Sequence, residues 1–152
     1  MKKLLLAAVP VLLLYSCTKE FKEEIKRPAK NSWFVNDKTY SAYGFILDTF
    51  NVMTGYDPKK GLIEIRFAKK PTSDADYVIR KKADEVEELS IKIIDSTTGK
   101  TYLSMDDDGQ RIKTDQFAKV TVNGGSVSVS FDNVWLKDAS NEDKARTSGN
   151  LN

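Results

Sequence analysis

One cysteine and no histidine limit the chemistry that this chain can perform. Without histidine there is no Ser-His-Asp or Cys-His catalysis, no histidine-ligated zinc and no histidine pH switch. The cysteine, Cys17, follows Ser16 at the end of a short apolar stretch near the N-terminus. Its place in that stretch is the first indication of its role.

Residues 1–16 have the pattern of a secretory signal peptide. Lys2 and Lys3 form a basic start, Leu4 to Leu14 is almost entirely apolar, and Ser16 is a small residue before the cut. A secretory signal has an apolar region of about 7–15 residues, whereas a membrane-spanning helix needs about 20. We therefore expect residues 1–16 to be removed from an exported protein.

The segment Leu14-Tyr15-Ser16-Cys17 resembles a bacterial lipobox, in which a leucine stands three places before the cysteine and a small residue directly before it. Tyr15 departs from the usual middle residue, and the looser lipobox of Bacteroidota lipoproteins tolerates it. The resemblance implies cleavage between Ser16 and Cys17, a diacylglycerol thioether on Cys17 and acylation of its new amine. Two or three acyl chains would anchor the protein to a membrane, since each buried methylene adds about 0.8 kcal/mol. The alternative is an ordinary signal peptide followed by a chance cysteine.

A polar tether, residues 17–31, follows the predicted cleavage site. Lys19-Glu20 and Lys22-Glu23-Glu24 resemble the acidic surface-export signals of some Bacteroidota lipoproteins, although Phe21 interrupts the match. The plain alternative is a spacer that holds the domain off the membrane. We therefore predict an outer-membrane lipoprotein that faces either the periplasm or the cell surface.

The composition of the remaining chain indicates one formally neutral domain. The full chain has 24 basic and 22 acidic residues, and Lys2 and Lys3 belong to the predicted signal, which leaves 22 of each sign. Without a basic excess we expect no nucleic-acid partner. A domain of this size buries about two-thirds of its chain surface, so it does not need disulfides.

Apolar residues recur with a period of two along residues 32–137, as in Ile63 to Phe67 and Leu89 to Ile93, which is typical of half-buried strands. The pattern predicts an all-β domain of about eight or nine antiparallel strands. We favour an immunoglobulin- or transthyretin-like β-sandwich, and a small lipocalin-like barrel is the alternative. Residues 138–152 have few apolar side chains, which predicts a disordered polar tail.

Two hairpins are the clearest local predictions. Trp33 to Tyr43 opens the domain around an Asn36-Asp37-Lys38 turn. A valine-rich hairpin turns at either Asn123-Gly124 or Gly124-Gly125, and both pairs suit a two-residue type I′ loop. The order of these signals, with the closing segment Phe131 to Leu136, is similar to that of small Bacteroidota outer-membrane lipoproteins of unknown function. That similarity implies a β-sandwich and no known activity.

Aromatic side chains are the candidate ligand contacts, because exposed aromatics stack on sugars and anchor protein partners. Trp135 lies between Val134 and Leu136, so it is predicted to face away from the core. Tyr102 is likewise predicted to face away from the core, because it precedes the apolar Leu103 in its strand, and Tyr43 is the third candidate for stacking on a ligand. The alternative for such residues is packing at the edge of the core.

Two acidic motifs are candidates for a binding site or a modification site. Asp106-Asp107-Asp108-Gly109 could belong to a calcium loop, but an EF-hand would then have Ser104 first and Asp115 last, and it needs flanking helices. We predict a hairpin turn there, and no metal or cofactor. Asp95-Ser96-Thr97 resembles the short O-glycosylation acceptor of Bacteroidota periplasmic proteins, which makes Ser96 a candidate glycosylation site.

These patterns predict a non-catalytic, lipid-anchored envelope protein that binds a protein or a glycan. One alternative is a carboxylate-based hydrolase of envelope glycans, which needs two carboxylates about 5–10 Å apart in a cleft. The other alternative is a structural envelope component without a ligand. The oligomeric state is left open.

Overall fold

A computed structural model describes residues 28–106, 115–141 and 143–152, and these residues form β-strands and no helix. The strands are β1 (Ser32–Val35), β2 (Lys38–Ser41), β3 (Phe45–Leu47), β4 (Val52–Asp57), β5 (Gly61–Phe67), β6 (Ala75–Ile79), β7 (Glu88–Asp95), β8 (Lys100–Ser104), β9 (Gln116–Asn123), β10 (Ser126–Asp138) and β11 (Lys144–Leu151). The all-β prediction is therefore confirmed, with eleven strands in the described residues rather than eight or nine. The prediction of purely antiparallel pairing is wrong at one place, because β6 and β7 pair in parallel. These ranges contain no helix with the length and apolar character that crossing a bilayer demands.

The strands form one sheet that closes on itself. Its order is β2-β1-β11-β10-β9-β6-β7-β5-β4-β3, and β8 pairs with both β7 and β10. Because β6, β7, β8, β10 and β9 pair in a ring, they close a small barrel, and the remaining strands extend the sheet outside it. The predicted sandwich is not confirmed, and the barrel alternative describes the pairing better, although the strand order is not up-and-down.

The length of β10 explains this closure. The strand has 13 residues, and its register against β11 shifts between Phe131 and Val134. Its first half pairs with β9, whereas its last residues, Leu136 to Asp138, pair with β8. A β-bulge increases the local twist of a strand, so successive parts of the same edge of β10 can pair with two different strands, first β9 and then β8.

The β9–β10 hairpin turns at Gly124 and Gly125. Val122 lies opposite Val127, as the Gly124-Gly125 alternative requires. The φ angles of these glycines are 57° and 86°, and a type I′ turn needs positive φ at both central residues. The structure therefore selects the Gly124-Gly125 loop over Asn123-Gly124.

The predicted disordered tail is wrong, because residues 144–151 form β11 in the middle of the sheet, between β1 and β10. Its side chains alternate between buried and partly exposed, and the buried ones are Ala145, Thr147, Gly149 and Leu151. Apart from Leu151 these residues are small or polar, so their alternation is not visible as an apolar pattern. Gly149 is required at its position, since a Cβ there would lie 2.4 Å from the Phe131 ring.

One continuous hydrophobic core fills the interior. Trp33 stacks on Tyr40 with ring centroids 5.3 Å apart, and Phe67 meets Tyr77 edge-on. The inward faces predicted for β5 and β7 are confirmed, and their buried side chains include Ile63, Ile65, Leu89, Ile91 and Ile93. Burial of each large side chain contributes about 1.5–3 kcal/mol, so this core holds the surrounding strands in place.

Candidate functional site

Two of the three candidate stacking aromatics face outward. Tyr43 lies between β2 and β3 and is 97% exposed. Trp135 faces away from the buried Val134 and Leu136, as predicted. The guanidinium of Arg146, its cross-strand partner, lies 4.6 Å from the centre of the Trp135 ring. One face of this tryptophan is therefore already covered by a cation–π contact.

The outward orientation predicted for Tyr102 is wrong. Its side chain is buried, whereas Leu103 beside it is only partly buried. Tyr102 lies opposite Ile93 of β7 and Asp138 of β10, and both of those residues are buried. Because β8 is shared by these two strands, its inward face is set by its neighbours, and a strand of five residues is too short for its own alternation to decide.

The other predicted positions are either exposed or outside the described ranges. Ser96 is exposed in the turn between β7 and β8, where it is accessible to modification. Ser16, Cys17 and most of the acidic run, from Asp107 onward, lie outside the described residues. Within the residues that the structure describes, no group of three or more acidic, cysteine or histidine side chains could hold a metal ion.

A groove of about 740 Å³ crosses the outer face of β6, β9, β10 and β11, which is the face opposite the core. A row of cross-strand neighbours lines it: Asp76, Lys119, Ser130 and Asn150. Phe117 also lines the groove and is 54% exposed. The groove therefore combines an accessible aromatic ring with carboxylate, ammonium, hydroxyl and amide groups.

The alternation of β9 explains why Phe117 points outward. Ala118 and Val120 are buried, whereas Phe117 and Lys119 are exposed. Residues of opposite parity lie on opposite faces of a strand. Phe117 is not among the aromatic residues predicted as ligand contacts, although the alternation of β9 in the sequence already implies that it lies on the outer face.

The bulge in β10 places a second carboxylate at the groove. Asn133 has a φ of 54°, and the Ser148 hydroxyl accepts a hydrogen bond from its N–H at 2.9 Å. The same hydroxyl donates to Asp132 Oδ1 at 2.6 Å. Bulges re-aim side chains near functional sites, and this one holds Asp132 beside Ser130 in the lining of the groove.

A smaller cavity of about 250 Å³ lies between the β1–β2 turn and the start of the β7–β8 hairpin, and Lys38, Tyr40, Asp95 and Tyr102 are part of its lining. Asp95 is buried and accepts hydrogen bonds from Lys38 Nζ at 2.8 Å and from the Thr97 hydroxyl at 2.6 Å. Burial alone would raise the pKa of Asp95, but hydrogen bonds from Lys38, Thr97 and Thr98 outweigh it and hold that pKa well below its ordinary value.

Two further buried aspartates cap turns at strand ends. Asp57 Oδ1 accepts the backbone N–H groups of Lys59 and Lys60, and Asp138 Oδ1 accepts that of Ser140. The pKa of Asp57 is lowered because these two bonds and the bond that its Oδ2 accepts from the Ser41 N–H outweigh burial, and the pKa of Asp138 is lowered mainly by its bonds from Ser140. A general acid near neutral pH needs a raised pKa, so these aspartates are suited to holding turns rather than to donating protons.

Comparison with models of protein families, with curated proteins and with solved structures gives no match. The resemblance to Bacteroidota lipoproteins therefore depends on the motifs of the chain itself and stays a prediction. The groove and the cavity are two concave sites that could bind a ligand.

Proposed function

We propose that this chain is a non-catalytic, lipid-anchored protein of the bacterial envelope that binds a glycan in the groove across β6, β9, β10 and β11. The observation that carries the proposal is the half-exposed ring of Phe117 beside the polar row. A sugar ring has apolar C–H faces that stack on an aromatic, and hydroxyl groups that both donate and accept hydrogen bonds. Binding sites for such ligands need both kinds of contact.

The charges in the groove do not favour an anionic ligand. Asp76 and Lys119 are directly opposite each other on β6 and β9, so their charges compensate across the strands. The second carboxylate, Asp132, adds one negative charge and accepts a hydrogen bond from the Ser148 hydroxyl. Ser130 and Asn150 continue the row with groups that donate and accept. The buried centre of a protein interface is depleted of charged residues, and this charged row therefore favours a hydroxylated ligand over a protein partner.

The pKa shifts support binding rather than hydrolysis. Glycoside hydrolysis uses one carboxyl group with a raised pKa as the proton donor. In the described residues, each carboxyl group with a clear shift has its pKa lowered: Asp57, Glu88, Asp95 and Asp138. We therefore favour the binding protein over the carboxylate-based hydrolase.

Binding of the full chain to an array of bacterial envelope oligosaccharides tests the groove. Replacing Phe117 by alanine is expected to weaken binding about tenfold, because an aromatic contact is worth about 0.5–1.5 kcal/mol beyond its area and the ring area is also lost. The matched control is Phe50→Ala, at an exposed phenylalanine outside the groove. Equal losses in the two variants, or no binding by the wild type, would contradict the proposal, and release of shortened sugars would favour the hydrolase.

The anchor is tested separately in the protein's own host. Cys17→Ala is expected to keep the signal peptide uncleaved at this site and to lack the added lipid mass, because the thioether requires the Cys17 thiol. The variant is also expected to be absent from the membrane fraction that mild detergent solubilises. Cell fractionation and intact mass of the purified protein measure these changes. Thr18→Ala serves as the control, and an unaltered lipid mass in Cys17→Ala would rule out this anchor.

A further inference from the structure

A hollow of about 200 Å³ on the outer face of β5 and β7 has an excess of positive charge. Three cationic residues line it, Arg66, Lys81 and Lys92, together with one acidic residue, Glu64, and the hydroxyl-bearing Ser90. The chain as a whole is almost balanced, with 24 basic and 22 acidic residues, so the excess is local. This basic hollow is therefore a candidate site for an anion.

Pairing between β5 and β7 places four of these residues side by side. Arg66 lies opposite Ser90, and Glu64 lies opposite Lys92. Residues two positions apart on a strand point to the same face, and the residues between them are buried in the core. The four side chains therefore share the outer face, and their positions are set by two long strands rather than by a loop.

Lys81 reaches the hollow from the segment after β6, which hydrogen bonds hold against β7 and β8. The Arg80 N–H donates to the Leu89 carbonyl oxygen at 2.8 Å, and the Arg80 carbonyl oxygen accepts the Ser104 hydroxyl at 2.6 Å. The same hydroxyl accepts the Ile91 N–H at 2.9 Å. The backbone that carries Lys81 is therefore fixed beside the polar residues of β7.

Two of the three cations have no counter-ion. Lys92 Nζ lies 3.1 Å from Glu64 Oε2, so these two charges compensate each other. Within the described part of the chain, neither the Arg66 guanidinium nor the Lys81 ammonium forms an ion pair. Asp106 Oδ1 accepts the backbone N–H of Lys81 at 3.0 Å, but Asp106 does not line the hollow. An anion in the hollow would therefore meet two uncompensated positive charges.

These groups suit a phosphate monoester. The guanidinium of Arg66 has parallel N–H groups that match two oxygens of a phosphate, and Lys81 adds a point charge. The Ser90 hydroxyl can donate to another oxygen. A phosphate monoester has a charge of about −1.5 to −2 at pH 7, whereas a carboxylate or a phosphodiester has a single negative charge. The volume is below the range of about 300–1,000 Å³ that is usual for drug-sized ligands, so the hollow takes the phosphate and little more.

We propose that the basic hollow is a second binding site, which takes the phosphate group of a phosphate monoester or inorganic phosphate, with Arg66 and Lys81 as charged contacts and Ser90 as a hydrogen-bond donor. This site does not depend on the groove proposed for a glycan, because the two share no lining residue. Arg66 and Lys81 are both exposed, so the ligand reaches them from solvent.

Amide NMR of the labelled full chain, titrated with inorganic phosphate and with glycerol 3-phosphate at pH 7, measures binding. About 0.1 M sodium chloride screens non-specific attraction. We expect saturable shifts of the Arg66, Ser90 and Lys92 amides. Arg66→Gln is expected to bind at least about ten times more weakly, the effect of one charge-assisted hydrogen bond. Its melting temperature should be unchanged, because the side chain is exposed.

Three comparisons sharpen the test. Lys81→Gln is expected to weaken binding as Arg66→Gln does. Lys59→Gln, at an exposed lysine outside the hollow, is the matched control for loss of one positive charge and is expected to keep the affinity. Phe117→Ala should bind phosphate as the wild type does, so failure of the groove and failure of the basic hollow are distinguishable.

A soluble short-chain phosphatidylglycerol distinguishes a lipid head group from a free monoester, because it is a phosphodiester with one charge. We expect it to bind at least about ten times more weakly than glycerol 3-phosphate, and equal or tighter binding would overturn the choice of a monoester. The site itself is overturned if neither phosphate compound binds, if Arg66→Gln or Lys81→Gln keeps full affinity, or if Lys59→Gln loses as much affinity as they do.

Discussion

A chain shortened to end at residue 143 is expected to lose cooperative unfolding, because it lacks β11. This strand pairs with β1 on one edge and with β10 on the other. Its removal leaves buried backbone groups on both neighbours without partners, at about 1–3 kcal/mol each. Several such groups together exceed the total stability of about 5–15 kcal/mol that a domain has. Near-UV circular dichroism and a denaturant titration followed by tryptophan fluorescence measure the loss.

A graded series distinguishes this effect from general sensitivity of the C-terminus. Deletion of Asn152 alone removes an exposed residue and is expected to change stability by less than about 0.5 kcal/mol. Leu151→Ala, at a fully buried side chain, is expected to cost about 2–5 kcal/mol. A native-like spectrum and a normal transition in the chain ending at 143 would show that β11 is dispensable and that the tail prediction was right.

Asp95→Asn is expected to lower the free energy of unfolding by about 2–3 kcal/mol at neutral pH. The change removes the charge that Lys38 and the two threonine hydroxyls bind, and hydrogen bonds to a buried charged group are worth about 1.5–3 kcal/mol. The Lys38 side chain is half exposed, so water screens its attraction and the ion pair adds little beyond these hydrogen bonds. Urea titrations of the variant and the wild type at pH 7 measure the difference.

The same variant makes a prediction about pH. The pKa of Asp95 is lower in the folded state than its ordinary value of about 3.9 in the unfolded chain. Its contribution is therefore complete above about pH 4 and is lost as the pH falls toward the folded-state pKa. The stability difference between the wild type and Asp95→Asn should be constant from pH 7 to about pH 5 and should shrink below about pH 4.

The matched control is Asp143→Asn, at an exposed carboxylate whose ion pair with Lys100 spans 3.4 Å. Exposed pairs contribute little, so the expected change is below about 1 kcal/mol. A difference between the wild type and Asp95→Asn that persists undiminished into strong acid would mean that shape, and not the charge of Asp95, stabilises this turn.

Local alternation predicted strands well where they were long. β5 and β7 have seven and eight residues, and their inward faces were predicted correctly. The β9–β10 turn followed from its two glycines, which supply positive φ angles at no steric cost. The β8 face was predicted wrongly because five residues hold little pattern and two neighbouring strands decide it.

Neither candidate site could be assembled from local pattern alone. The outward position of Phe117 follows from the alternation of β9, but the groove exists because β6, β9, β10 and β11 lie side by side. The Lys38–Asp95 pair joins residues 57 positions apart in the chain. No spacing in the sequence indicates that the β1–β2 turn meets the β7–β8 hairpin.

The sequence by itself determined the β character of the chain, the inward faces of its long strands, its tight turns and the chemistries that lack of histidine excludes. These properties follow from side-chain type and from contacts between near neighbours. Only the tertiary structure decided the closure of the barrel, the central place of β11 and the meeting of polar groups at the groove and the cavity. Strand pairing is the reason, because a backbone N–H bonds equally well to any strand that packing brings alongside it, whatever its distance along the chain.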